Sequence, residues 1–142
     1  MSQATSVSEA LLAWAQGYDA SIRMNAYLER AGDTTLVTGI GTELARYIDG
    51  SSERRVPCSL CLMAPWSEGV DGVNADALAA GEGWLAWVEA QWAQGNVPAL
   101  PEGMACTAIE ADYTMPVLAE VYPDTATGLY RFNANIDYLR RP

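Results

Sequence analysis

The sequence contains no histidine and no lysine. Without histidine there is no imidazole to act as acid or base near neutral pH, no Ser-His-Asp or Cys-His nucleophile, and no His-ligated zinc. Without lysine there is neither a Schiff-base amine nor a phosphate-gripping Gly-Lys-Ser/Thr loop. All eight cations are arginines, and none lies between Arg55 and Arg131. No apolar run approaches the ~18 residues of a membrane span. The opening MSQATSVSEA has neither the basic start nor the apolar core of a signal segment. The expectation is a protein without membrane contact, made in a cytoplasm. Three cysteines, an odd number, give no disulfide framework and fit a reducing compartment.

What is present is a chain of 142 residues, half of them apolar, which is enough for one domain over residues 1–142 with a buried core. The net charge is −10. The interval between Arg55 and Arg131 holds Glu68, Asp71, Asp76, Glu82, Glu89, Glu102, Glu110, Asp112, Glu120 and Asp124, which equal that whole charge. A duplex-binding surface needs clustered cations against phosphate, so no specific nucleic-acid partner is expected.

Ser6-Val7-Ser8-Glu9 fits a capping box, and Val7, Leu11, Trp14 and Tyr18 recur at helical spacing, predicting a helix from about Val7 to Gly17. Ile22, Met24, Ala26 and Leu28 alternate with polar neighbours, predicting a strand over Ser21 to Glu29. Leu36 to Ile40 reads as a weaker extended piece and Thr42 to Tyr47 as a helical turn. Asp49-Gly50 is a turn signal, because glycine accepts positive φ and aspartate tolerates it. After it, Val56, Cys58, Leu60 and Leu62 alternate with Arg55, Pro57, Ser59, Cys61 and Met63. A loop over Met63 to Asn74 leads into a second helix from about Asp76 to Gln94, with Leu78, Gly81, Leu85, Val88 and Trp92 on one stripe, flanked by Trp84 and Trp87. Gly95 caps it. Cys106–Tyr113, Val117–Tyr122 and Leu129–Leu139 read as strands, with a turn over Asp124–Gly128. The last of them alternates most cleanly, Tyr130, Phe132, Ala134, Ile136 and Tyr138 against Arg131, Asn133, Asn135 and Asp137. The fold class is α+β: an antiparallel or mixed sheet of about 4–6 strands with two main helices packed on one side.

Two constellations touch on chemistry. Cys58 and Cys61 stand at CxxC spacing, but on a strand residues i and i+3 face opposite ways, so the sheet itself separates the sulfurs. A four-cysteine zinc site also needs a second pair, and Cys106 is alone. Glu110 and Asp112 share one face of a strand, an arrangement that can hold a divalent cation or pair an acid with a base. A solvated strand face is the plainer reading. No catalytic, cofactor or metal-binding residue is assigned, and no enzyme activity is expected.

Tyr47-Ile48-Asp49-Gly50-Ser51, then a strand, an aromatic-proline loop, the helix Trp84-Leu85-Ala86-Trp87-Val88-Glu89-Ala90-Gln91 and the exit Gly95-Asn96-Val97-Pro98 carry a resemblance by their order and spacing. The sequence resembles the small minor capsid or tail-terminator proteins of long-tailed phages and prophages, especially those of Gram-positive hosts. The likeness covers about Tyr47 to Tyr138, and LYRFNANIDY is similar to that family's closing strand. Pro57, Cys58 and Cys61 depart from the aromatic or long aliphatic residues expected there; a proline suits an edge strand, where its missing N–H does no harm. The resemblance implies a structural virion protein at the head-tail junction, a homo-oligomer, commonly a ring of six, that caps the tail tube and joins tail to head. Its partners would be further copies of itself, the tail-tube protein and a head-completion protein. The motif residues are Tyr47, Asp49, Gly50, Ser51, Trp84, Trp87, Gln91 and Pro98. The candidate contact residues are Pro65, Trp66, Glu68 and Asp71 in the loop, with Arg140 and Arg141 at the C-terminus. An acidic ring lumen would let DNA slide without sticking. The alternative is an acidic binding module, a DNA mimic acting on a host nucleic-acid enzyme.

Overall fold

The computed structural model describes residues 6–25, 28, 30–113 and 118–142. Among these, two α-helices and seven strands follow in the order α1 (Val7–Ala15), β1 (Arg23–Met24), β2 (Thr34–Thr38), β3 (Thr42–Arg46), β4 (Ser52–Pro65), α2 (Asp71–Ala93), β5 (Met104–Asp112), β6 (Leu118–Tyr122) and β7 (Thr127–Arg140), with one 3-10 turn at Pro123–Thr125. The fold is α+β with a mixed sheet and both helices on one side, and it has one strand more than the upper expectation.

The sheet is built on a ribbon. β4 and β7 pair antiparallel along their full 14 residues, from Ser52 opposite Arg140 to Pro65 opposite Thr127. Each ribbon strand carries two shorter strands end to end on its outer side. β3 pairs with the start of β4 and β2 with its middle, while β5 and β6 line β7 in the same way. β1 adds a parallel pair outside β2.

Alternation decides the faces. Val56, Cys58 and Leu60 lie opposite Ile136, Ala134 and Phe132, and all six are buried under the helices. Gly81 of α2 sits directly on Phe132: a Cβ there would lie 1.8 Å from the ring. A glycine that costs about 1 kcal/mol in helix propensity is thus the residue that lets α2 approach the sheet. Trp14 of α1 meets Trp84 and Trp87 of α2 at centroid distances of 6.0 and 4.8 Å, and Tyr18 closes the cluster. Trp84 is fully buried and its indole N–H has no hydrogen-bond partner; Trp14 and Tyr18 both stand edge-on to its ring.

Several expectations are corrected. Thr42–Tyr47 is not a helical turn but strand β3, because the Asp49-Gly50 turn folds it back onto Ser52–Arg55. The strand expected over Ser21–Glu29 is regular only at Arg23–Met24, and Asn25 at φ 49° ends it; Ala26, Tyr27 and Glu29 lie outside the described residues. β4 runs on to Pro65 and α2 begins at Asp71, so the loop shrinks to 66–70. Asp71-Gly72 is the first turn of the helix rather than part of a loop. Ser67 organises that entry: its Oγ accepts from the N–H groups of Gly69 and Val70, and its backbone exchanges two hydrogen bonds with Asn74. The buried stripe of α2 is Ala77, Gly81, Trp84, Leu85, Val88 and Gln91, and the expected members Leu78 and Trp92 are exposed.

Pro57 does not mark an edge strand; β4 is central. Its carbonyl accepts from Gly39 N–H at 3.0 Å, so its missing N–H faces the same side. That side is the break between β2 and β3, where Gly39-Ile40-Gly41 interrupts the outer strand. A Cβ on Gly39 would meet the proline ring at 2.7 Å. The proline is accommodated by opening the neighbouring strand rather than by moving to the edge.

Candidate interaction surfaces

The Tyr47–Ser51 turn is held by its own side chains. Gly50 N–H donates to Tyr47 O at 3.0 Å, Tyr47 N–H donates to Ser51 O at 2.9 Å, and Gly50 sits at φ 89°. Asp49 Oδ1 accepts from both the backbone N–H and the hydroxyl of Ser51. The hydroxyl bond first, and then the N–H bond, hold its carboxyl below the ordinary carboxylate value. Tyr47 donates to Glu53 Oε2 at 3.2 Å, which favours the protonated phenol and raises its pKa. Ile48 at the tip is fully exposed.

The turn presents β3 as an outer strand. Among the described residues nothing pairs with its free edge, and every β3 residue but the half-buried Ala45 is exposed. Ile40 is 92% exposed, and Leu44 and Tyr47 are half exposed. Glu43 and Arg46 neutralise one another in an ion pair of 2.8 Å. On the far side of the sheet β5 and β6 form the other outer edge, with Glu102, Glu110 and Glu120 exposed and Asp112 half-buried. Unpaired edges carry a row of backbone donors and acceptors that water or another strand must satisfy.

The sheet face away from the helices is polar and internally paired. Asp137, nearly buried, takes a forked pair of bonds from Arg55 at 2.8 and 3.1 Å across the ribbon. Ser59 donates to Asn133 at 2.5 Å. The alternation seen in the last strand therefore serves cross-strand pairing between β4 and β7. Glu110 and Asp112 stand opposite Asn135 and Asn133 on this face. Among the described residues no group of three His, Cys, Asp or Glu side chains is placed to hold a metal ion. Of the ten acids in the cation-free interval nine are exposed.

Cys58 points to the helices and Cys61 to the polar face, both buried and unbonded. Burial pushes the Cys58 thiol up to about 12 and, opposed in small part by the backbone of Ala108, the Cys106 thiol up to about 11. These are poor nucleophiles and poor metal ligands at neutral pH.

The remaining motif residues are structural. Trp84 and Trp87 stack at 5.5 Å and dock α1. Gln91 is buried and accepts from the Asn96 side chain, Asn96 N–H donates to Gln91 O, and Asn96 O accepts from Trp14 Nε1 at 3.0 Å. Pro98 is buried just beyond. The W-L-x-W-V-E-x-Q and G-N-x-P pieces thus fix how α2 ends and how α1 packs on it.

The candidate contact residues fall into two groups that the fold holds apart. Pro65, Trp66, Glu68 and Asp71 lie where the ribbon ends and α2 begins, with Trp66 N–H donating to Ala126 O at 2.9 Å. Arg140 pairs with Ser52 at the opposite end, and Arg141 N–H donates to Gly103 O at 2.8 Å. At ~3.3 Å per residue the ribbon separates them by roughly 40 Å. The β3 edge, with Ile40 and Leu44, is the surface that sequence reasoning missed, because a run such as TELAR has no strand signature of its own.

No protein-family model matches the sequence, and no curated protein matches it.

Proposed function

We propose that this chain is a structural, self-associating protein of the tail-terminator kind. In this reading it forms a ring, six subunits by the resemblance, that caps a phage tail tube and joins it to the head. Made in the host cytoplasm, it ends in the virion at the head-tail junction, held by tail-tube and head-completion proteins and by its own copies. The observation that carries the reading is the sheet, which among the described residues has an unpaired edge on either side, with exposed Leu44 on β3 and exposed Ile40 just before it. The Tyr47–Ser51 and Trp84–Pro98 motifs support it as scaffold elements, and the polar side chains of the sheet are spent on cross-strand bonds. The test is to add the purified protein to a polymerising tail-tube protein encoded beside it. Tubes of bounded length with a ring on one end are expected; unchanged tube growth with no bound ring overturns the proposal.

One observation favours a second reading, an acidic binding module: nine exposed carboxylates with no cation among them in sequence. Inhibition of a host nuclease by the purified protein, abolished by raised salt, would favour that reading over the first.

A further inference from the structure

We propose that copies of this chain join edge to edge, the β3 edge of one pairing as an added strand against the β5–β6 edge of the next. The inference rests on the ring reading and names the two surfaces that close it.

The β3 edge and the β5–β6 edge lie on opposite sides of one sheet and are unlike; the two-residue β1 is the further outer strand on the β3 side. β3 exposes Leu44, and Ile40 stands exposed just before it in the break at Gly39–Gly41. Its charged pair, Glu43 and Arg46, is already neutralised, so no net charge turns an incoming strand away. Arg54 lies beside it on β4, its Nε bonded to Ser52 Oγ. β5 and β6 carry Glu110, Asp112 and Glu120 and no cation of their own, with Glu102 just before β5. Setting that edge against its own copy would place like charges opposite one another, which is destabilising. Against the β3 edge it meets exposed apolar side chains and a neutralised ion pair instead. Charge therefore disfavours the acidic edge against its own copy and leaves the neutral β3 edge as its acceptor. Contacts between two different patches are heterologous, and they generate a ring when the rotation between copies closes. The twist of the sheet supplies a rotation at each junction. Two β3 edges pairing with each other would stop at a dimer and leave the acidic edge unused.

The experiment compares three forms of the full chain by native mass over a concentration series, with circular dichroism to establish that each is folded. Ile40→Glu/Leu44→Glu changes exposed side chains only and places two carboxylates against the acidic edge. It is expected to weaken association on the order of 100-fold while leaving the fold intact. Adding Glu110→Arg/Glu120→Arg in the same chain restores charge complementarity and is expected to recover the assembly. If the parent forms rings and the β3 variant forms them equally well, the edge inference is overturned and the ring reading stands. If the four-fold variant fails to recover, or the parent stops at a dimer, the β5–β6 edge is not the partner surface and the inference is overturned. If the folded parent stays monomeric throughout, the ring reading falls, and the inference with it.

Discussion

Replacing Gly81 by alanine separates helix propensity from packing. In an unencumbered helix the change is worth about 1 kcal/mol in favour of alanine. Here the new methyl would lie 1.8 Å from Cε1 and Cζ of Phe132 and 2.2 Å from Cδ1. Ordinary contact begins near 3.4 Å, so helix and ring must part by about 1.6 Å. Phe132 is 3% exposed and lies opposite Leu60 at 4%, so the ring has no open space to enter. Lifting α2 instead would loosen Trp84, Leu85 and Val88 together. A clash this deep lies at the upper end of the about 1–3 kcal/mol that overpacking costs, so with the propensity gain of about 1 kcal/mol subtracted the net loss is about 2 kcal/mol. For a chain of this size that is roughly 4–8 °C in Tm. Urea unfolding followed by tryptophan fluorescence measures it, and Phe132→Leu in the same chain should return part of the loss. Gly72→Ala, where nothing lies within 4 Å of the added carbon, is the control and should be neutral or stabilising by up to about 1 kcal/mol. A Gly81→Ala protein as stable as its parent would refute the account of how α2 meets the sheet.

Three further outcomes follow from the geometry. Ellman's reagent at pH 8 should find no rapidly reacting thiol at Cys58 or Cys61 in the folded protein, and all three cysteines after denaturation; rapid native labelling of either would contradict the burial described. Asp49 is more acidic folded than its ordinary value of 3.8, so its contribution is present above that pH and is lost as pH falls through the lower folded value. The Tm gap between the parent and Asp49→Asn should therefore narrow below about pH 4, and a gap that widens on acidification would contradict the turn's hydrogen bonds. Arg55→Ala leaves Asp137 nearly buried without its forked partner; because Arg55 is itself partly exposed, a loss of about 1–2 kcal/mol is expected by chemical denaturation, and no loss would mean that water replaces the arginine.

Legibility in the sequence followed the strength of local signals. The α1 cap, the Asp49-Gly50 turn, the alternating last strand and the Gly95 helix end each have a short-range physical cause, and each stands where expected. The CxxC reading rested on strand alternation, and the side chains do lie on opposite faces. Thr42–Arg46 was misread because its conformation comes from β4, not from its own residues. Asp71-Gly72 carries turn chemistry, yet the bonds between Ser67 and Asn74 start a helix there. Pro57 was assigned to an edge because the accommodating break, at Gly39–Gly41, lies on another strand. The exposed β3 edge is the least legible part. An unpaired edge is a property of the whole sheet, and nothing in Ile40 or Leu44 alone announces exposure.

The central claim is that this chain assembles into closed rings through its sheet. Native mass across a concentration series, with negative-stain images of the same samples, tests it most directly. The account predicts closed rings of about six subunits, the heterologous closure that two unlike edges allow. A folded chain that remains strictly monomeric at every concentration and shows no rings in the images would contradict it.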